Sequence, residues 1–316
     1  MPEWIVDAAD AGVRLDKYLA AEGRAGSRPR AAAALERGKV FLNDREATLA
    51  DAATRLSAGD VVRYWADRPG SARRTTEAIG AARELRIVYE DDALIVLDKP
   101  AGLLAVPLPL ERRFDAPSVF EDLRKYLRGR RRRPFVVHRI DRDTSGLVLF
   151  AKSEAAQQAL KRQFLEHEPE RVYRAVVYGR PSPPEGTWRD HLVWDVKALI
   201  QKETHPRDPR GREAISHYRV IEPLDDASLI EVRLVTGKRN QIRIQARLRG
   251  HTLVGEQRYT YGPDALRTIA FPRQALHAFR LAFRHPDDDR QLQFEAPMPA
   301  DIAGLVASLR RHRRRT

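Results

Sequence analysis

The feature that most constrains the fold is an abrupt change of character. The polar segment His138-Arg139-Ile140-Asp141-Arg142-Asp143-Thr144-Ser145-Gly146 runs straight into the apolar stretch Leu147–Ala151. Five consecutive apolar residues have the length and composition of a buried strand, so the chain must build a sheet with a covered core. A polar cluster at the mouth of such a strand is a rigid mount for functional groups.

The 316 residues are enough for about two domains, and a 42% hydrophobic content supports a real core. No apolar run reaches the roughly 18 residues of a membrane span. The N-terminus, Met1-Pro2-Glu3-Trp4, has neither a basic nor an apolar signal region. There is no cysteine, which excludes disulfides, zinc–thiolate sites and a cysteine nucleophile. The expectation is a cytoplasmic protein.

The net charge of +13 is unevenly placed. Residues 1–70 balance 11 Lys/Arg against 11 Asp/Glu, whereas residues 124–133 carry seven basic residues and no acid. Five more arginines lie between Arg310 and Arg315. Such runs suit a polyphosphate partner through counterion release, and serve equally as a solvated loop and tail.

Residues 1–68 read as a small α/β module. Val13–Leu19 begins a short helix, and Ser27 caps a second through Ala31–Leu35, closed by Gly38. Val40–Leu42 and Val61–Tyr64 are short strands. Arg28, Arg30, Arg37 and Lys39 give this neutral module one basic face. Residues 69–83 form a linker. Beyond it, strands are expected at 85–89, 94–97, 171–178, 215–221, 228–235, 277–284 and 291–295, with helices at 117–127 and 153–166. Strands outnumber helices and the two are interspersed, which predicts α+β with a large, mostly antiparallel sheet over 84–308, followed by a basic tail at 309–316.

Asp141 is the carboxylate that stands out. An aspartate there can act as base, as nucleophile, or only as an acceptor for turn backbone groups; Arg139 and Arg142 favour its ionised form. His138, Asp141 and Asp143 are metal-ligand types, but six crowded residues with no second cluster do not make a ligand set, so no metal is expected.

His138–Leu147 resembles the signature of the RluA family of pseudouridine synthases. Further matches follow in order: Leu85–Gly102 to the family's first motif, Arg171–Gly179 to the strand carrying its active-site tyrosine, and Thr236–Arg243 to its third motif, continued by Gly250–Gly255. Arg273–Ala278 and Phe294–Pro299 resemble its closing strands, and residues 5–66 an S-four-like RNA-binding domain. The resemblance covers nearly the whole chain. It implies isomerisation of uridine within structured RNA (ribosomal RNA first, transfer RNA second), without a cofactor; a monomer is expected. It assigns Asp141 to the chemistry and Tyr173 to the face of the flipped base. Arg243 becomes the salt-bridge partner of Asp141, and Arg139 the group that fills the vacated stack. Arg142, Lys238, Arg239 and the run Arg130, Arg131, Arg132 and Arg133 are expected to contact RNA. Arg239, Arg243 and Arg247, four residues apart, are equally a basic helix face.

The third motif departs from the family's Gly-Arg-Thr-His-Gln-Ile-Arg. Lys238, Arg239 and Asn240 replace its Arg, Thr and His, and Gln245 stands where a histidine is common. A catalytically inactive RNA-binding or ribosome-assembly factor on the same fold is therefore the alternative expectation.

Overall fold

A computed structural model describes residues 2–66, 85–107, 117–129, 132–195, 200–260 and 269–313. Contacts divide the chain into two units, Met1–Ala82 and Arg83–Thr316. The linker expected at 69–83, Arg130, Arg131 and the last three residues of the tail lie outside the described residues.

The first unit contains β1 (Glu3–Ile5), α1 (Leu15–Leu19), α2 (Arg28–Glu36), β2 (Val40–Leu42), β3 (Arg45–Ala47), a 3-10 turn at Leu49–Ala53, and β4 (Val61–Tyr64). Its strands form an antiparallel sheet in the order β1-β4-β2-β3. Ser27 caps α2 by accepting the Arg30 N–H at 3.3 Å, and Pro29 sits in the first turn, where its missing donor costs nothing. Leu15, Leu19, Ala31 and Leu35 meet Val40 and Val62 in one core. Arg28, Arg30 and Arg37 are left exposed, while Lys39 donates to the Ala66 carbonyl.

The second unit is built on one sheet. Its strands are β5 (Ile87–Glu90), β6 (Leu94–Lys99), β7 (Phe135–Val136), β8 (Ser145–Ala151), β9 (Glu170–Tyr178), β10 (Glu185–Asp195), β11 (Ile200–Glu203), β12 (Arg212–Pro223), β13 (Ala227–Leu234), β14 (Leu276–Arg284) and β15 (Gln291–Glu295). The order is β11-β10-β12-β13-β9-β14-β8-β6-β5, with β15 on β14 and β7 on β8. Among the described residues every strand pair is antiparallel except β8–β14. The helices are α3 (Val119–Arg128), α4 (Glu154–Leu165), α5 (Gln241–Leu248) and α6 (Ala300–Arg313). The expected α+β architecture with a mostly antiparallel sheet is what forms.

Every residue of β8 is buried. Ala156 and Leu160 of α4 cover one face together with Leu147, Leu149 and Phe283. Gly146 makes the parallel junction possible. It has φ +108°, and a Cβ there would lie 2.2 Å from the Ala278 carbonyl oxygen, so only glycine lets β8 and β14 approach. In a separate core cluster, Ile242 and Ala246 of α5 pack on Trp188, Ile230 and Val232.

Glu185–Asp195 and Ile200–Glu203 are strands, which the sequence reading did not include. The segment read as a tail from 309 is the end of α6 as far as Arg313, and Arg310 pairs with Glu222 at 2.5 Å.

Candidate active site

Asp141 sits in the loop between β7 and β8, and that loop is tied down from several sides. His138 accepts the Leu149 N–H at 3.1 Å and stacks on Phe164 with ring centroids 4.8 Å apart. Its burial, with the charge of Arg171 adding, lowers its pKa to about 3, so the ring is a neutral strut for the loop. The buried ammonium of Lys99 donates to the carbonyls of Pro100, Leu103 and Arg142 at 2.9, 2.8 and 2.7 Å. Arg273, held by Asp301 at 2.7 Å, donates to the Asp143 carbonyl at 2.9 Å. Ser145 and His277 meet at 3.0 Å across the β8–β14 junction. The anchors come from the neighbouring strands β6 and β14 and the loops that adjoin them, so the carboxylate inherits the rigidity of the sheet.

The third motif meets Asp141 from the opposite wall. Arg243, in the first turn of α5, places Nη1 3.2 Å from the Asp141 carboxylate. Its Nε and Nη2 are already taken by Glu256, at 2.7 and 2.6 Å. Burial alone would weaken the guanidinium's charge. The adjacent Glu256 and then Asp141 overcome this and hold it above the ordinary arginine range. Burial likewise opposes ionisation of Glu256, and Arg243 outweighs it, so that carboxyl lies below its ordinary value. The Asp141 side chain keeps 25% of its surface exposed, against 8% for Arg243 and none for Glu256. The charged pair is therefore sunk in the protein, with the Asp141 carboxylate at its open end.

That end faces a cavity of about 320 Å³ lined by Asp141, Arg139, Ile140, Thr144, Tyr173, Leu276, Lys238, Arg239, Asn240 and Arg243, among others. This is the size of a small-ligand site. Tyr173 lies at the centre of the sheet between β13 and β14, and its burial, with the charge of Asp141 adding, pushes its phenol up. Apolar walls come from Ile140, Leu234, Ile242 and Leu276. Arg139 and Arg239 are exposed at the rim, and the Arg239 guanidinium lies over the Trp194 ring at 4.1 Å.

The structure thus brings Asp141, Tyr173, Arg243, Arg139, Lys238 and Arg239 to one cavity. Arg142 is not among its lining residues and contributes its carbonyl to Lys99. Arg132 is spent on Asp92, which it contacts at 2.8 Å through the carbonyl and 3.3 Å through the carboxylate, and Arg133 lies over Phe135. The basic helix face does not form. Asn240, at φ +54°, turns the chain so that Arg239 precedes the helix, and Arg243 is buried in its ion pair. Gln245 points away from the cavity, where it accepts from Ser216 at 2.7 Å and donates to Asp190 at 2.7 Å. In this chain it clamps α5 to β10 and β12.

Glu256 and Tyr259 also surround the site and escaped the sequence reading, which noted Asn240 only as a departure from the family motif. Glu256 follows Gly255, which has φ +74° and no room for a Cβ: one would fall 1.9 Å from the Arg273 carbonyl oxygen. A glycine followed by an acid just after a motif rich in arginine was the available signal.

A loop carboxylate at a strand mouth, a buried arginine opposite and a base-sized cavity on a mixed sheet define an enzyme that acts on an enclosed group. Residues 93–248 match the RNA pseudouridylate synthase family, and residues 13–62 match the S4 domain. The chain is 37% identical over 308 residues to a protein of Zymomonas mobilis named ribosomal large subunit pseudouridine synthase D, covering 94% of each. It is 34% identical over 301 residues to an uncharacterized RNA pseudouridine synthase of Bacillus subtilis, covering 95% of each. The fold is shared with the solved human RNA pseudouridylate synthase domain containing 4, at a TM-score of 0.58 and 19% identity over 76% of this chain and 95% of that one. The chain belongs to the RNA pseudouridylate synthase family and carries an S4 domain ahead of its catalytic unit.

Proposed function

We propose that the enzyme isomerises uridine to pseudouridine in ribosomal RNA of the large subunit, with Asp141 as the catalytic carboxylate. The reaction breaks the bond from the sugar to the base nitrogen, forms one to a ring carbon, and moves that carbon's proton to the nitrogen. Atoms and redox state balance without a cofactor. Asp141 serves as nucleophile or as base toward the sugar; either role needs it ionised and open to the substrate. The observation that carries this reading is the Asp141–Arg243–Glu256 array. A guanidinium kept charged by Glu256 still reserves one N–H face for Asp141.

The other roles follow from the cavity. A paired or stacked uridine must leave its helix to enter, and Arg139 at the rim is positioned to occupy the gap. Tyr173 offers an aromatic face to the flipped base, and the apolar walls keep the detached uracil enclosed. Lys238 and Arg239 meet the backbone around the target, and the exposed Arg28, Arg30 and Arg37 of the S4 domain hold RNA further off. Ribosomal RNA ranks ahead of transfer RNA because the relative from Zymomonas mobilis is named for the large ribosomal subunit. The inactive-factor alternative rested on the altered third motif. The meeting of Asn240, one of the altered residues, with Asp141 weighs against it.

The test is to incubate the protein with cellular RNA lacking pseudouridine and to map new sites by carbodiimide-stop sequencing. Large-subunit ribosomal sites, absent with Asp141→Asn, are expected. No product from the wild type, or equal product from the variant, refutes the reading.

A further inference from the structure

Asn240 does more than turn the backbone into α5. Its amide lies between Asp141 and Tyr259. Only one amide orientation satisfies both neighbours: Nδ2 then donates to the two Asp141 oxygens at 3.0 Å each, and Oδ1 accepts from the Tyr259 hydroxyl at 3.1 Å. The reverse orientation would set the amide oxygen against a carboxylate. The Tyr259 oxygen in turn accepts the Gln201 N–H of β11 at 3.2 Å. Tyr259 is fully buried, and its ring lies 5.5 Å from the Arg243 guanidinium. Burial keeps the proton on its phenol. The result is a one-way chain of donors from the β11 backbone through a hydroxyl and an amide to the carboxylate. Each bond in such a chain polarises the next.

We infer that Asn240 is a positioning residue for Asp141 and that Tyr259 supports its amide by donating to the amide oxygen. Arg243 reaches one carboxylate oxygen from one side. Asn240 holds both oxygens from another, which fixes the rotation of the carboxylate about its own axis. Without Tyr259 the amide oxygen loses its donor, and the amide loses the support that holds it against Asp141. The histidine that the family signature carries at this position is thus replaced by a side chain with its own donor, its own support and a ready tolerance of positive φ. The inference rests on the proposed role of Asp141.

Asn240→Gly separates the two jobs of this residue, since glycine accepts φ +54° without steric strain and removes the amide. It should fold as the wild type does, with kcat lower by about 10- to 100-fold and KM for RNA unchanged, because a misaligned reacting group costs turnover rather than binding. Tyr259→Phe should lower kcat by about 3- to 10-fold, and adding it to Asn240→Gly should cost nothing more, since the two act on one carboxylate. A kcat for Asn240→Gly within about twofold of wild type overturns the inference, as do losses that multiply in the double variant. If Asn240→Gly fails to fold, Tyr259→Phe alone decides: an unchanged kcat overturns it. Asp141→Asn is the control. If it retains turnover, the role of Asp141 falls and this inference with it; if it is dead while Asn240→Gly is fully active, only the positioning role falls.

Discussion

Glu256→Gln tests how the charge of the site is anchored. Glu256 has no exposed side-chain surface and gathers five donors: Arg243 at 2.6 and 2.7 Å, and the backbone N–H groups of Gln257, Arg258 and Tyr259 at 3.1, 2.8 and 3.3 Å. Glutamine keeps the shape but faces some of those donors with an amide N–H. It also leaves buried Arg243 with Asp141 as its only described carboxylate partner. Breaking one partner of a buried pair costs about 3–5 kcal/mol. For a unit of this size each kcal/mol lowers Tm by about 2–4 °C, so a fall of roughly 6–20 °C is expected. Differential scanning calorimetry at neutral pH reads it directly. The pH dependence has a definite sign. The Glu256 carboxyl is depressed below its ordinary 4.5, so its stabilisation is present above that pH and is lost as the pH falls through the folded value. The gap between wild type and variant should therefore close in acid. A neutral-pH shift below about 2 °C, or a gap that widens in acid, refutes the reasoning.

Three other outcomes follow from the same geometry. Lys99 is lowered by burial from 10.5 to about 7, so the unfolded chain binds the extra proton between those values and the burial cost is relieved as pH rises. Relative to Lys99→Met, wild-type stability should climb between pH 7.5 and 9.5 by up to about 1.4 kcal/mol per pH unit, and parallel urea-unfolding series would contradict this. Gly146→Ala should cost more than about 3 kcal/mol by the same measurement, and a cost below about 1 would show that β8 and β14 can separate freely. Arg239→Gln should weaken RNA binding and reduce the slope of log K against log salt by about 1; an unchanged slope places Arg239 off the RNA.

The sheet was legible where inward-facing positions are apolar. β8 is a plain hydrophobic run, and β9, β13, β14 and β15 carry enough β-branched and aromatic residues to stand out. β10 did not, because one of its inward positions is Asp190, buried and paired with Arg249 at 2.6 Å and with Gln245. A charge in that register erases the alternation on which a strand is recognised. The end of α6 was hidden for a related reason: a run rich in arginine reads as solvated tail until Glu222 is seen beside Arg310. At the site, Asp141, Tyr173 and Arg243 were accessible through motif order, and Asn240 was visible as a departure without a role. Tyr259 carries no local signal at all. Its part depends on β11 and the loop after α5 converging on Asn240, a contact that spacing along the chain does not encode.

The place of β14 has a consequence for the order in which the chain can be built. It lies between β9 and β8, yet both of those precede it by about a hundred residues or more of sequence. Until it is synthesised, the ribosome has released two partial sheets: β8 with β6 and β5, and β9 with β13, β12, β10 and β11. Each exposes one inner edge, that of β9 and the part of β8 not paired with β7, and these are the edges that β14 later joins. The Asp141 loop belongs to the first partial sheet and Tyr173 to the second, so no nascent chain ending before residue 276 can hold both in the finished sheet. Synthesis stalled between α5 and β14 should yield a sticky, inactive intermediate, and completion of a single strand should both close the edges and assemble the site.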